Sequence, residues 1–447
     1  MSSTTIYLSF LGTGNYQPCS YRWLETQASS TCYAQVAELE LLLNHGQRVS
    51  SVIIFGTKTS RDKHWNFLEV ELQQVFKTLN VDVPYRFEEI NEVLSTSKQW
   101  QDVQTILPFI PYGAEVILDM THGFRSVPIV FSTALQFVQM IRNVSLKHVF
   151  YAKHQPEPAE LIDYVGFYQI QEWTHAVQNL VENADARKLS ELSQQDHLIE
   201  IPALQNSTEL STALSDLTKA IRDVKVNLVE SRANTALKIV KESLLGATNV
   251  GDKLGVILLE TVLSKFEALA QVPPSNDQYN FAYLRTQLTL TQLLLEHDFA
   301  MQAFTVMDEM IGSLGMLNYD FSKKIVVTND KGRKKRRAAD VFKVMLQVPR
   351  GDWTFSNDNA IHVLRLEKWY EKLQLWVSAV EGQGEVSILK QLSETQQTIV
   401  QIRNRFNHAW TSKNPDAYPD PLSNGRKALK DLKRIIADMK RLSDINL

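Results

Sequence analysis

Residues 401–410 read QIRNRFNHAW and place Arg403, Asn404 and His408 within six positions. Together these side chain types can cut a phosphodiester. Histidine exchanges protons near neutral pH. Arginine stabilises the extra negative charge of a phosphorane-like transition state. Asparagine orients the imidazole or holds a phosphate oxygen. With RNA, the 2′-hydroxyl of the substrate is itself the nucleophile, so neither a metal nor a protein nucleophile is needed. The products then carry a 2′,3′-cyclic phosphate and a 5′-hydroxyl. The bland alternative is equally physical: Arg and His near a helix C-terminus interact well with the dipole and the last carbonyls.

The segment VSILKQLSETQQTIVQIRNRFNHAW (386–410) has helical periodicity, so the motif sits at the end of a long helix. Asn404 and His408, four apart, share a face. Arg403 and His408, five apart, diverge by about 140°. One helix does not easily aim both at one atom. Two such helices packed about a two-fold axis can, each supplying half of a shared pocket.

The elements that position other candidates lie in the first third. IYLSFLG (6–12), SVIIFGT (51–57), AEVILDMT (114–121) and LKHVFYA (146–152) read as strands. The helical patterns VAELELLL (36–43), FLEVELQQVFKTL (67–79) and VPIVFSTALQFVQMI (127–141) separate them. Strand and helix alternating in this way predict a parallel sheet with right-handed crossovers, covered on both faces. Ligands of such sheets bind beyond the carboxyl ends of the strands. That rule selects three loops: GTGNYQ (12–17), GTKTS (56–60) and THGFRS (121–126). Gly12-Thr13-Gly14 lacks the third glycine of a dinucleotide fingerprint and the Gly-Lys-Ser/Thr ending of a P-loop, so a plain tight turn remains open. In DMTHGFRS (119–126), Arg125 suits a phosphate and Gly123 permits close backbone approach. The same loop also reads as a turn capping the next helix through Ser126, ahead of Pro128.

A first strand ending in Gly-Thr-Gly-Asn, with a later one ending in Asp-Met-Thr-His-Gly-Phe-Arg-Ser, resembles the CARF domain of CRISPR-associated proteins. More narrowly it resembles the branch marked by an Asp-x-Thr-His-Gly signature, which Asp119, Thr121, His122 and Gly123 match in order. The resemblance implies a Rossmann-like, dimerising domain that binds cyclic oligoadenylate across its two-fold axis. It makes Thr13, Gly14, Asn15, Thr57, Thr121, His122, Gly123, Arg125 and Ser126 candidate contacts of that activator. Cyclic tetra-adenylate is expected over cyclic hexa-adenylate, since four-fold ligands are usual in this branch. Some family members degrade their activator in the same pocket, a role for which Thr13, His122 and Ser126 are candidates.

Beyond about residue 175 the strand signals largely stop. Helical patterns cover 207–245, 255–271, a hairpin over 279–315 broken near His297-Asp298, 362–380, 386–410 and 425–442. In NDKGRKKRRAAD (329–340), six of the seven residues 331–337 are basic. Arg333, Lys334, Lys335, Arg336 and Arg337 are candidates for contact with an RNA backbone, or simply a solvated charge run.

The spacing Arg, Asn, three residues, His also resembles the HEPN ribonuclease motif, which Arg403, Asn404 and His408 match residue for residue. Together the two matches resemble the CARF–HEPN effector ribonucleases of type III CRISPR antiviral defence. The fold class expected is α/β plus all-α. A Rossmann-like CARF domain (1–175) precedes a helical region (176–447) that ends in a HEPN domain. The resemblance implies a homodimer, with larger assemblies left open, that cuts single-stranded RNA once cyclic oligoadenylate has shifted the dimer. A non-catalytic nucleotide sensor, acting on a partner or nucleic acid through its helical region, is the competing reading.

Composition narrows the field. The 447 residues are 44% hydrophobic and 22% charged, which is ordinary globular usage. The net charge is −3, so a global basic field does not mark a nucleic-acid binder and any such contact must be local. The two cysteines, Cys19 and Cys32, form no disulfide framework or zinc spacing and fit a reducing compartment. The start MSSTTIYLSFLGTGNY lacks a signal-peptide pattern, and no run of 18 apolar residues occurs. The expectation is a cytoplasmic protein that needs no metal and no membrane.

Overall fold

The computed structural model describes residues 4–91, 95–122, 126–153, 157–194, 201, 204, 208–270, 279–317, 329–357, 360–408 and 420–444. It divides into two compact units. The described residues up to Glu172 form the first, and those from Trp173 onward the second.

The first unit runs β1 (Thr5–Leu11), β2 (Tyr21–Trp23), β3 (Thr26–Gln27), α1 (Ala34–Asn44), β4 (Ser51–Gly56), α2 (Lys58–Ser60) and a π-helical turn (Arg61–Trp65). It continues through α3 (Asn66–Thr78), β5 (Tyr85–Glu89), α4 (Thr96–Ile106), β6 (Glu115–Asp119), α5 (Ser126–Arg142), β7 (Ser145–Lys153) and β8 (Ala159–Asp163). One eight-stranded sheet has the order β3-β2-β8-β7-β6-β1-β4-β5. Its heart, β7-β6-β1-β4-β5, is parallel throughout, and β8 joins antiparallel to β7. The four expected strands are β1, β4, β6 and β7. Side chains alternate between two buried layers: Tyr7, Val52, Ile54 and Ile117 face one, with α1 and α3, and Ile6, Leu8, Ile53 and Val116 face the other. β1, β4 and β6 therefore read as largely apolar runs, while β7 alternates buried and exposed residues toward both its ends.

Four further strands escape that pattern, the short β2 and β3 at one edge among them. β5, YRFEE, lies at the sheet edge and is only partly covered, so it carries no apolar run. β8 is short, lying antiparallel to β7 on one side and parallel to β2 on the other.

The second unit is mainly helical: α6 (Val165–Asn183, entered from the first unit), α7 (Arg187–Leu192), α8 (Thr208–Arg222), α9 (Val226–Val250), α10 (Lys253–Ala270), α11 (Phe281–Glu296) and α12 (Ala300–Gly315). Then follow α13 (Asn329–Gln347), α14 (Ala360–Leu375), β9 (Val377–Val380), β10 (Gly384–Ser387), α15 (Ile388–Asn407) and α16 (Pro421–Asp444). The expected hairpin over 279–315 is α11–α12, with Asp298 at a φ of 59° in the turn. The pattern over 207–245 breaks into α8 and α9 at Val224, whose φ is 56°.

One expectation is corrected. The helix read over 362–380 ends at Leu375, and Val377–Val380 pairs antiparallel with Gly384–Ser387. The β-branched VSAV and the turn at Gly382, with a φ of 77°, make a hairpin that helical periodicity had absorbed. Among the described residues, no helix is long and apolar enough to cross a membrane.

Candidate functional site

In the first unit, the carboxyl ends of the neighbouring strands β1 and β6 sit over a buried acidic pair. Glu38, on α1, and Asp119, the last residue of β6, are both fully buried. The Tyr7 hydroxyl donates to Glu38 Oε2 at 2.6 Å, and the Ser9 hydroxyl to Asp119 Oδ2 at 2.6 Å. Burial first, then the charge of Asp119, pushes the Glu38 carboxyl well above the usual carboxylate range. The protonated form of Glu38 thus persists beside Asp119.

This pair sets the start of the β6 loop. The Thr121 N–H donates to Asp119 Oδ1 at 2.7 Å. The Thr121 hydroxyl donates to Glu38 Oε1 at 3.4 Å and accepts from the Ala152 N–H at 2.8 Å. With its side chain tied at both ends, Thr121 fixes the backbone that presents half-buried His122.

The loop after β1 is held from the turn that follows β4. Lys63 Nζ donates to Thr13 O at 2.9 Å, Gly14 O at 3.3 Å and Asn15 Oδ1 at 2.8 Å. His64 Nε2 donates to Gly14 O at 2.8 Å, which sets its tautomer. Burial, the largest effect, lowers the His64 imidazole below its ordinary value, so it is neutral at neutral pH. Tyr16 accepts from the Gly12 N–H at 2.9 Å. Its ring centroid lies 4.6 Å from that of His64 and 4.5 Å from that of His122. Three strand-end segments thus meet around one tyrosine.

Of the expected activator contacts, Thr13, Gly14, Asn15, Thr121 and His122 belong to this cluster. Gly14 and Asn15 are exposed, and Thr13 is half-buried. Thr57 is buried, and its hydroxyl oxygen accepts from the Ser60 N–H at 3.2 Å, capping α2. Gly123 and Arg125 lie outside the described residues, as does the side chain of Ser126, where α5 begins. Sequence reasoning passed over Glu38, Tyr16, Lys63 and His64. Glu38 sits in a largely apolar helix pattern that also holds Gln35 and Glu40, so the pattern alone did not mark it. Lys63 and His64 lie about fifty positions from the loop they hold, and nothing local marks them.

In the second unit, Ser387 opens α15 by accepting from the Lys390 N–H at 3.2 Å. The helix closes at Asn407, where the His408 N–H donates to Asn404 O at 3.0 Å. The Arg403 guanidinium is paired with the carboxylate of Asp308 on α12, which is 3% exposed. Lys343 on α13 donates to the same carboxylate at 2.8 Å and reaches Glu309 at 3.4 Å. Gln396, on the inner side of α15, donates to Lys343 O at 3.1 Å. Arg403 is half-buried, whereas Asn404 and His408 are exposed. A single copy therefore turns Arg403 toward Asp308 and leaves Asn404 and His408 on the outer face. Asp308 is the residue that sequence reasoning missed here, lying 95 positions from its partner. The backbone of the basic run belongs to α13, while the side chains of Arg333, Lys334, Lys335, Arg336 and Arg337 lie outside the described residues. Among the described residues, no cluster of His, Cys, Asp and Glu has the geometry to hold a metal.

These units define a two-part protein class: a Rossmann-like parallel sheet with ligand-type loops at its strand ends, then a helical unit carrying an Arg-Asn-His motif. No protein-family model matches the chain. Over 100 residues the chain is 30% identical to the CRISPR-associated protein MJ1674 of Methanocaldococcus jannaschii. That match covers 18% of the chain and 16% of the relative's length. Among solved structures, Enterococcus italicus Csm6 bound to cyclic hexa-2′-fluoro-hexa-dAMP aligns over 98% of the chain and 95% of its own. It does so at 11% identity, with a TM-score of 0.48.

Two outcomes test this geometry. In the unfolded chain the Glu38 carboxyl ionises near its ordinary value of 4.5, while the fold keeps it protonated to higher pH. Its contribution to stability is thus fully present below that value and lost as pH rises through the folded one. Glu38→Gln keeps an acceptor for Tyr7 and a donor for Asp119 without a titrating proton. Thermal unfolding should show the variant gaining on the wild type from acid toward alkaline pH; a pH-independent difference would refute the raised Glu38 carboxyl. Asp308→Ala leaves two cations facing each other and is expected to cost about 3 kcal/mol, read by urea unfolding.

Proposed function

We propose that the chain is an endoribonuclease switched on by cyclic oligoadenylate, acting in CRISPR antiviral defence. The first unit is the activator-binding CARF-like domain (1–175), and the region 176–447 contains the HEPN-type nuclease. The observation that carries the reading is the end of α15, where a buried carboxylate sets Arg403 while Asn404 and His408 stand exposed. That the chain shares 30% identity over 100 residues with a CRISPR-associated protein supports the setting.

In this reading two copies bring their α15 ends together, since about 140° separates Arg403 from His408 on one helix. The RNA 2′-oxygen attacks the adjacent phosphorus, and the bond to the 5′-oxygen breaks. His408 handles the proton that leaves the 2′-hydroxyl and the one that the 5′-oxygen takes up. Arg403, held by Asp308, stabilises the charge that builds on the phosphoryl oxygens, and Asn404 orients the imidazole or the phosphate. The products are a 2′,3′-cyclic phosphate and a 5′-hydroxyl.

Activation requires that the activator bind the active dimer more tightly than the inactive one. Lys63 adds a cation to the loop 13–15, and Thr121 and His122 offer a hydroxyl and an imidazole beside it. Cyclic tetra-adenylate is the activator proposed, and Thr13, His122 and Ser126 are candidates for its slow breakdown.

Single-stranded RNA cleavage should appear on adding cyclic tetra-adenylate, persist in EDTA, and vanish in Arg403→Ala and in His408→Ala while both remain folded by circular dichroism. Unchanged cleavage in both variants would dismiss the site. Calorimetry should show cyclic tetra-adenylate binding more tightly than cyclic hexa-adenylate. Lys63→Ala should weaken that binding roughly tenfold, the scale of one hydrogen bond to a charged group. Binding of either ring without any RNA cleavage would favour a sensor with no nuclease.

A further inference from the structure

Helix α16 carries seven basic residues against three aspartates, a surplus of four in a chain whose net charge is −3. Its apolar side, including Ala428, Leu432, Ile435 and Met439, is buried in the second unit. At 100° per residue, Arg426, Lys427, Lys430, Lys433, Arg434, Lys440 and Arg441 fall within one arc of about 140°. Six of the seven are exposed, and Arg434 is half-buried. The stripe from Arg426 to Arg441 runs about 22 Å along the helix.

Neighbouring acids only partly neutralise it. Arg434 pairs with Asp431 at 2.9 Å and Arg441 with Asp438 at 3.3 Å. The Lys430–Glu381 pair, at 3.5 Å, has side chains 75% and 87% exposed, so water and salt screen it. Lys433 donates to the neutral Gln292 at 2.7 Å. Among the described residues, none forms an ion pair with Arg426, Lys427 or Lys440.

The stripe begins beside the Arg-Asn-His motif. Phe304 of α12 meets the ring of Phe406 at 6.3 Å, and a Cβ on Gly425 would lie 3.5 Å from that same side chain. The same Cβ would lie 2.6 Å from Leu295, so only glycine lets α16 approach α11 there. Arg426 follows directly. Farther along, Glu394 and Thr398 of α15 and Lys427 and Arg434 of α16 line a groove of about 370 Å³.

We propose that this face of α16 binds the phosphate backbone of single-stranded RNA and leads it to the end of α15. The identity of the strand rests on the ribonuclease reading; the surface itself rests on its charge, exposure and position. Flexible lysines and arginines along one helix face fit a repeating anionic backbone and read no base edges, so binding should be salt-dependent and indifferent to sequence.

The test uses the full chain and a fluorescent single-stranded 2′-O-methyl oligonucleotide, which lacks the 2′-hydroxyl and cannot be cut. Anisotropy is titrated at several KCl concentrations for the wild type and for the triple variant Arg426→Ala, Lys427→Ala, Lys430→Ala. A control triple, Lys238→Ala, Lys241→Ala, Lys253→Ala, removes the same charge from exposed sites on α9 and α10. Each phosphate of a single strand that is no longer neutralised takes about 0.7 from the slope of log K against log salt. The stripe variant should therefore show a slope shallower by about 2, while the control keeps the wild-type slope. An unchanged slope in the stripe variant, an equal fall in the control, or no binding by the wild type would overturn the proposal. The expected slopes without any RNA cleavage would uphold the surface and dismiss the nuclease.

Discussion

A carboxylate taken out of water must be protonated, hydrogen-bonded or paired with a cation, and the groups that do this are thereby held in place. Both candidate sites are built on that constraint. In the first unit, burial keeps Glu38 protonated beside Asp119, and the oxygens of the two side chains take hydrogen bonds from Tyr7, Ser9 and Thr121. In the second, Asp308 takes two cations, Lys343 and Arg403. The acids are buried, yet they decide where Thr121 and Arg403 stand.

The two solutions differ in consequence. A protonated Glu38 adds no charge, so the strand ends above the pair face less negative charge than two free carboxylates would give. Lys63 then supplies the cation at the loop 13–15, with Tyr16 packed between His64 and His122. Such a surface, part aromatic and part cationic, suits a ligand with both bases and phosphates. Asp308 instead leaves a positive surplus, toward which Glu309 reaches from farther away. A guanidinium held there keeps its charge for a phosphate, and its five N–H donors exceed what one carboxylate can accept.

Helix packing then sets what one copy can do. α15 turns Ile399, Ile402 and Gln396 inward, which leaves Asn404 and His408 outward and Arg403 at the boundary. One copy therefore does not gather the three side chains at one point, and the basic face of α16 begins beside this helix end.

Much of the plan was legible in the chain itself. Apolar runs at β1, β4 and β6 identified the parallel sheet, because strands covered on both faces leave little polar alternation to misread, and β7 was read from its apolar middle despite exposed residues toward its ends. The strand-end rule selected the loops that carry Tyr16 and His122, but His64, the other ring against Tyr16, lies beyond the loop 56–60 that the rule picked; helical spacing alone separated Arg403 from His408. The hairpin β9–β10 and the edge strand β5 were missed, since short or partly exposed strands carry little periodicity. What sequence determined was local: strand, helix, turn and the angle between side chains on one helix. What only tertiary structure decided was pairing at a distance. Lys63 meets Asn15, Glu38 meets Asp119 and Arg403 meets Asp308 across 48, 81 and 95 positions. Such pairs leave no local signal, because burial that makes a carboxylate demand a partner exists only once the chain has folded.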